Sequence, residues 1–147
     1  YRVINEIAKN LNSTAFFPFG IPLHPFFKWA IRSGSAWQSP VSLLVHKNAG
    51  LMVSYRGAVG LSKRIKLPPK TQKPCNNCNK PCLNACKVTA LTSKGYDVVK
   101  CKSFLNTIEG TKFLSQGCAV RLSCPISKNF QRDPKQSEYH MSVFKTS

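Results

Sequence analysis

Acidic side chains are scarce: Glu6, Asp97, Glu109, Asp133 and Glu138 are the whole supply in 147 residues. So few carboxylates, with no paired arrangement among them, leave little material for acid–base catalysis. No Ser/His/Asp order and no glycine-rich phosphate loop makes up for the shortage. Histidine is limited to His24, His46 and His140. No apolar run approaches the roughly 18 residues of a membrane-spanning helix. No charged n-region, apolar h-region and cleavage site open the chain. It enters a helical pattern directly from Tyr1, so it is expected to be truncated at its N-terminus, and an upstream piece could carry a targeting segment. Cysteine is absent before position 75, which argues against a secreted framework of disulfides spread through a small fold.

What is abundant is positive charge. Lysine and arginine number 22, for a formal net charge of +17. Such a balance favours anionic partners. Yet no basic run of five or more occurs, so compositional drift accounts for the charge equally well.

Along the chain, Arg2 to Leu11 reads as a helix with Val3, Ile4, Ile7, Ala8 and Leu11 on one face. Ala15 to Pro25 has three prolines and reads as an ordered aromatic connector. Pro25 suits the first turn of a short helix carrying Phe26, Phe27, Trp29, Ala30 and Ile31. Val41–Val45 and Leu51–Tyr55 predict the strands of a β-hairpin closed by Asn48-Ala49-Gly50. Ala58 to Leu67 continues as irregular strand up to Pro68-Pro69, where a polar segment marks a seam. Beyond it, Pro81 starts a helical turn through Cys82 and Cys86. Asp97 caps a helix with Val98, Val99, Cys101, Phe104 and Leu105, and Gly117 to Arg121 forms a short turn. Asp133-Pro134 starts a terminal helix whose Tyr139, Met141, Val143 and Phe144 could pack back.

All seven cysteines, Cys75, Cys78, Cys82, Cys86, Cys101, Cys118 and Cys124, fall within fifty residues. The number is odd and the spacing dense, which favours metal or cluster ligation in a reducing compartment over disulfides. Four form a ladder with two, three and three residues between them, and the last is followed by Pro125. Iron–sulfur cubanes need several thiolates from a short loop and one from a distant segment, and dicluster ferredoxins cross their fourth ligand to the other cluster. By that logic Cys75, Cys78, Cys82 and Cys124 hold one [4Fe–4S] cluster. Cys86 leaves for a second site with Cys101 and Cys118. That site is one thiolate short, and suits a [3Fe–4S] centre, a [4Fe–4S] centre with an open or non-cysteine position, or none. Bound clusters would also reduce the positive charge, because each with its thiolates is net anionic.

Several segments together resemble short bacterial ferredoxin-like proteins with a dicluster domain. They are Phe17-Pro18-Phe19-Gly20, Phe26 to Gly34, Ser39 to His46, Val53 to Ala58, Pro81 to Cys86, Gly95 to Val98, Gly117 to Arg121 and Tyr139-His140-Met141. The cysteine half more distantly resembles the cluster-bearing half of epoxyqueuosine reductases and corrinoid reductive dehalogenases. The resemblance spans nearly the whole chain and implies two [4Fe–4S] clusters and electron transfer. Three positions depart from it. Phe113 stands where that family places an eighth cysteine, Lys87 replaces a proline after Cys86, and Thr89 stands where glycine is favoured. A cationic Lys87 beside a cluster is expected to raise its potential by favouring the reduced state.

Other readings stay open. Cysteine pairs also suit structural zinc, in Cys₄ or Cys₃His sites. His24 and His46 read as packed or hydrogen-bonded residues, and His140 as either that or a substitute ligand. Phe17, Phe19, Phe26, Phe27 and Trp29 read as core. Interleaved aromatics and lysines could stack single-stranded bases, but no nucleic-acid motif accompanies them. Arg56 and Arg121 could donate towards cluster sulfur or form salt links.

The expected fold is therefore α+β: a small aromatic-rich α/β half, residues 1–69, packed on a loop-rich bacterial-type dicluster ferredoxin module, residues 70–147. The expected function is iron–sulfur electron transfer with an unidentified redox partner protein, in the cytoplasm, without a membrane span or nucleic acid. The alternatives are a cluster-bearing fragment of a corrinoid-dependent or other reductase, and a zinc-held nucleic-acid-binding module.

Overall fold

A computed structural model of the chain describes residues 1–67 and 69–147. In chain order it forms α1 (Arg2–Asn10), β1 (Thr14–Phe16), α2 (Phe26–Arg32), β2 (Ala36–Gln38), β3 (Leu44–His46) and β4 (Ala58–Gly60). A 3₁₀ turn over Pro81–Leu83 follows, then β5 (Leu91–Thr92), β6 (Gly95–Tyr96), α3 (Val98–Leu105) and α4 (Ile108–Gln116). The chain ends with α5 (Ala119–Ser123), α6 (Pro125–Asn129) and α7 (Pro134–Thr146). Helices and small antiparallel two-stranded sheets make this an α+β protein. Among the described residues, no helix is long and apolar enough to cross a membrane.

Two compact units divide the chain, and the predicted division into 1–69 and 70–147 needs correction. One unit is Tyr1–Ser35 with Ser54–Thr71; the other is Ala36–Val53 with Gln72–Ser147. The segment from Ala36 to Val53 thus belongs with the cysteines. The reason is packing, since Val41, Val45 and Leu51 are almost fully buried in one cluster with Cys82, Leu91, Val120 and Cys124. Of the predicted diproline seam, Pro68 lies outside the described residues.

In the first unit β1 pairs antiparallel with β4, Thr14 opposite Gly60 and Phe16 opposite Ala58, so the connector read as irregular begins with a strand. The aromatic residues form ring clusters rather than a sealed core. Phe16 meets His24 and Trp29 edge-on, and His24 stacks on Trp29. Phe19 and Phe27 are exposed, which corrects their assignment to the core. In α1 only Ala8 is buried, and Val3, Ile7 and Leu11 face solvent.

In the second unit the hairpin is shifted from the predicted one. β2 pairs with β3, Ala36 opposite His46 and Gln38 opposite Leu44. Pro40 cannot donate to a ladder, and Ser42 adopts φ +62°, so Ser39 to Leu43 is the turn and not strand. The Ser39 N–H donates to Leu43 O at 2.8 Å, and the Ser42 N–H to Ser39 O at 3.1 Å. The anticipated Asn-Ala-Gly turn does form: Gly50 has φ +55°, and His46 and Gly50 exchange backbone hydrogen bonds of 2.9 Å. His46 Nδ1 accepts from the Asn48 and Ala49 N–H groups. That hydrogen-bonded role is the one read from the sequence.

Asp97 caps α3 by accepting from the Lys100 N–H at 2.9 Å, and Asp133 caps α7 by accepting from the Lys135 N–H at 2.9 Å. The α3 start and the terminal helix fall where the cap residues predict them. In α7, Met141 and Phe144 pack inward whereas Tyr139 and Val143 are exposed. α4, α6 and the β5–β6 hairpin had no counterpart in the sequence reading.

Candidate cluster-binding site

Two walls of the second unit carry the seven cysteines. Cys75 and Cys78 sit in the turn after Pro74, and Cys82 lies in the 3₁₀ turn that Pro81 opens. Lys80 ahead of it takes a left-handed φ of +53°, which turns its N–H onto Cys78 Sγ at 3.3 Å. Cys124 is the joint between α5 and α6, with Pro125 at the first position of α6. Proline there costs nothing, because a first-turn N–H has no helical partner anyway. The Cys-Pro pair thereby stops one short helix, starts the next and leaves the thiol pointing back into the core.

Cys75, Cys78, Cys82 and Cys124 line one small cavity of about 20 Å³ together with Ser39, Pro40, Val45, Leu51, Lys80, Pro81 and Pro125. Cys75, Cys78 and Cys124 also border a wider cleft beside it. Burial pushes the Cys75 and Cys82 thiols up from their ordinary range, and mutual repulsion with the neighbouring cysteines adds to the rise. Lys73 and Lys80 act in the opposite direction on Cys75. Cysteines that repel one another in this way are near neighbours, and a cationic core held among them would relieve the repulsion.

Cys86, Cys101 and Cys118 line a second cavity of about 40 Å³ with Lys87, Val88, Phe104, Leu105, Phe113, Val120 and Met141. Cys86 Sγ accepts the Ala90 N–H at 3.2 Å. Thr89 makes that bond reachable with φ +51°. This conformation is costly for a β-branched residue. Burial raises the Cys101 thiol, against the lowering effect of a hydrogen bond to Tyr96. Tyr96 in turn is pushed far up, by burial first and then by that bond to Cys101. Its ring stacks on Phe144, with centroids 5.9 Å apart.

Cys75, Cys78, Cys82 and Cys124 thus border one cavity, and Cys86, Cys101 and Cys118 another. Phe113 stands in the wall of the three-cysteine cavity, its ring 5.7 Å from that of Phe104. Met141 lines this cavity, and its neighbour His140 packs against the Tyr139 ring. The Arg121 guanidinium donates to the Leu51 carbonyl oxygen, tying α5 to the hairpin segment. Among the described residues, no three His, Cys, Asp or Glu side chains converge on a point as ligands of one ion must. Thiolates on one tetrahedral zinc stand about 3.8 Å apart by the bond length. Here they are spread around cavities.

Two residues escaped the sequence reading. Tyr96, at the end of β6, lies near enough to Cys101 to influence its thiol. Ser39 is 6 % exposed and its hydroxyl has no hydrogen-bond partner. Leaving such a group unpaired costs about 1–3 kcal/mol, so an orphaned donor in the four-cysteine wall fits a cavity built to hold an acceptor. No sequence signal marks Ser39, because its distance from Cys75 in the chain hides the cavity they share.

Comparison with protein-family models, curated proteins and solved structures finds no match to this chain.

Proposed function

We propose that the chain is a ferredoxin-like iron–sulfur electron-transfer protein. The observation that carries this reading is the gathering of Cys75, Cys78, Cys82 and distant Cys124 around one cavity in the core. Those four would hold a [4Fe–4S] cluster. Cys86, Cys101 and Cys118 would hold a second centre, [3Fe–4S] or [4Fe–4S], with Phe113 standing where a fourth ligand is wanted. When bound, such groups supply one-electron chemistry, and the protein sets the potential through burial and hydrogen bonds to sulfur.

The residues around the cysteines support that role. The Lys80 and Ala90 N–H groups bond to Cys78 and Cys86, so two sulfurs are oriented by backbone donors, and Tyr96 lies near Cys101. Cys82 and Cys124 are buried and the other five cysteines are half-buried. The scarcity of carboxylates leaves these residues to hold and tune rather than to catalyse. Lys73 and Lys80 lie near enough to influence Cys75, and an acidic redox protein is the partner whose charge suits that rim. All seven thiols are free, which suits a reducing compartment such as the cytoplasm.

Anaerobic reconstitution tests the reading. About seven or eight irons per chain with matching acid-labile sulfide are expected, and reduction should give EPR signals of cubane type. About four irons would mean that only the four-cysteine site loads. Zinc without iron or sulfide would overturn the proposal.

Lys87 borders the three-cysteine cavity and is itself exposed. Its positive charge favours the reduced state there. Lys87→Gln is expected to lower the potential of the second centre by roughly 40 mV, about 1 kcal/mol for one electron through a partly solvated medium. Potentiometry at low salt checks it, since screening weakens an exposed charge.

A further inference from the structure

Ser39 borders the four-cysteine cavity and carries a hydroxyl that ligation leaves unused. Ser39 spends both of its backbone groups on its own turn, donating to Leu43 O and accepting from Ser42 N–H. Its hydroxyl alone is unpartnered, in a residue only 6 % exposed. Pro40, Val45, Leu51, Pro81 and Pro125 in the same wall offer no side-chain acceptor. Ser127, the other buried hydroxyl close to Cys124, is already committed, accepting from the Leu51 N–H at 2.9 Å. A water would fill the roughly 20 Å³ available, but it needs two to four polar partners. Beside the Ser39 hydroxyl this wall supplies Lys80, whose side chain can only donate, and weakly bonding thiols. The strong acceptor that the cavity can contain is anionic sulfur, as thiolate or as sulfide of a bound group.

We propose that the Ser39 hydroxyl donates a hydrogen bond to sulfur of the centre held by Cys75, Cys78, Cys82 and Cys124, and that it raises the reduction potential of this centre alone. The inference rests on the ferredoxin-like reading. A donor to sulfur stabilises the reduced form more, because reduction adds negative charge to the acceptor. Ser39 lies in the hydrogen-bonded turn between β2 and β3, and it reaches the site from the segment before the cysteine ladder. Its effect should therefore be confined to the four-cysteine centre and leave the centre of Cys86, Cys101 and Cys118 unshifted.

The experiment compares reconstituted wild type, Ser39→Ala and Ser39→Thr for iron and sulfide content, thermal unfolding and EPR-monitored redox titration. The expected result is unchanged iron content, a more negative potential of one centre in Ser39→Ala, and recovery towards wild type in Ser39→Thr, which keeps the hydroxyl. Loss of iron in Ser39→Ala but not in Ser39→Thr would equally support a hydroxyl bond to the group. Equal potentials in wild type and Ser39→Ala at full loading would overturn the inference while the electron-transfer reading stands. Loss of iron in both variants would assign Ser39 to packing and overturn it too. Wild type without iron and sulfide would bring down both.

Discussion

Cys124→Ala is expected to remove about four irons per chain with their sulfide, and to leave the signal of the second centre in place. Cys124 is the only ligand of the proposed first centre that lies outside the 75–82 segment. It is 8 % exposed and sits in the common core with Cys82, Val41, Val45 and Leu51. Removing its sulfur leaves three thiolates from a single loop, and the cavity then lacks the wall that closes it. The packing loss itself is small, on the order of 1 kcal/mol for one buried sulfur atom. A variant that still folds yet loses half its iron would therefore report ligation rather than unfolding. Circular dichroism beside iron and sulfide assay separates the two. Full loading of Cys124→Ala would refute the proposed ligand set. Cys101→Ala should do the opposite, sparing the first centre and emptying the second.

Gly50→Ala is expected to destabilise the protein by roughly 2–5 kcal/mol, whether or not a cluster is bound. Gly50 has φ +55°, a conformation that costs an alanine about 1–2 kcal/mol. A β-carbon there would stand 2.5 Å from the Ser127 backbone nitrogen and 3.1 Å from Cys124 Sγ. Backbone in a packed core yields poorly, so overpacking adds about 1–3 kcal/mol. The displacement falls on Ser127, whose hydroxyl accepts the Leu51 N–H, and on Cys124 itself. Thermal unfolding of the apo and reconstituted variant should show a fall in Tm of about 5–15 °C at this chain length. A Tm within 2 °C of wild type would mean that the hairpin tip does not press on α6 as described.

Those two substitutions mark how far the chain is legible before it folds. The ladder and the Cys-Pro pair are local patterns, visible in residue type and spacing. Caps are local too. Asp97 and Asp133 announce helix starts because a short carboxylate answers the free N–H groups of a first turn. The shifted hairpin was misread for an equally local reason. Val41 to Val45 has strand composition, but a left-handed Ser42 and the burial of Val41 bend it into a turn. The phenylalanines near the N-terminus have core composition without core burial, since their unit closes ring clusters instead of a sealed interior.

Sequence alone determined the α+β class and the scarcity of carboxylates, because each depends on residue type and near spacing. Only the tertiary structure decided that Ala36–Val53 belongs with the cysteines, that Tyr96 meets Cys101, and that an unpaired Ser39 hydroxyl borders the four-thiol cavity. These are contacts between segments distant in the chain. They are set by which apolar side chains must share one interior, and no local pattern encodes that choice.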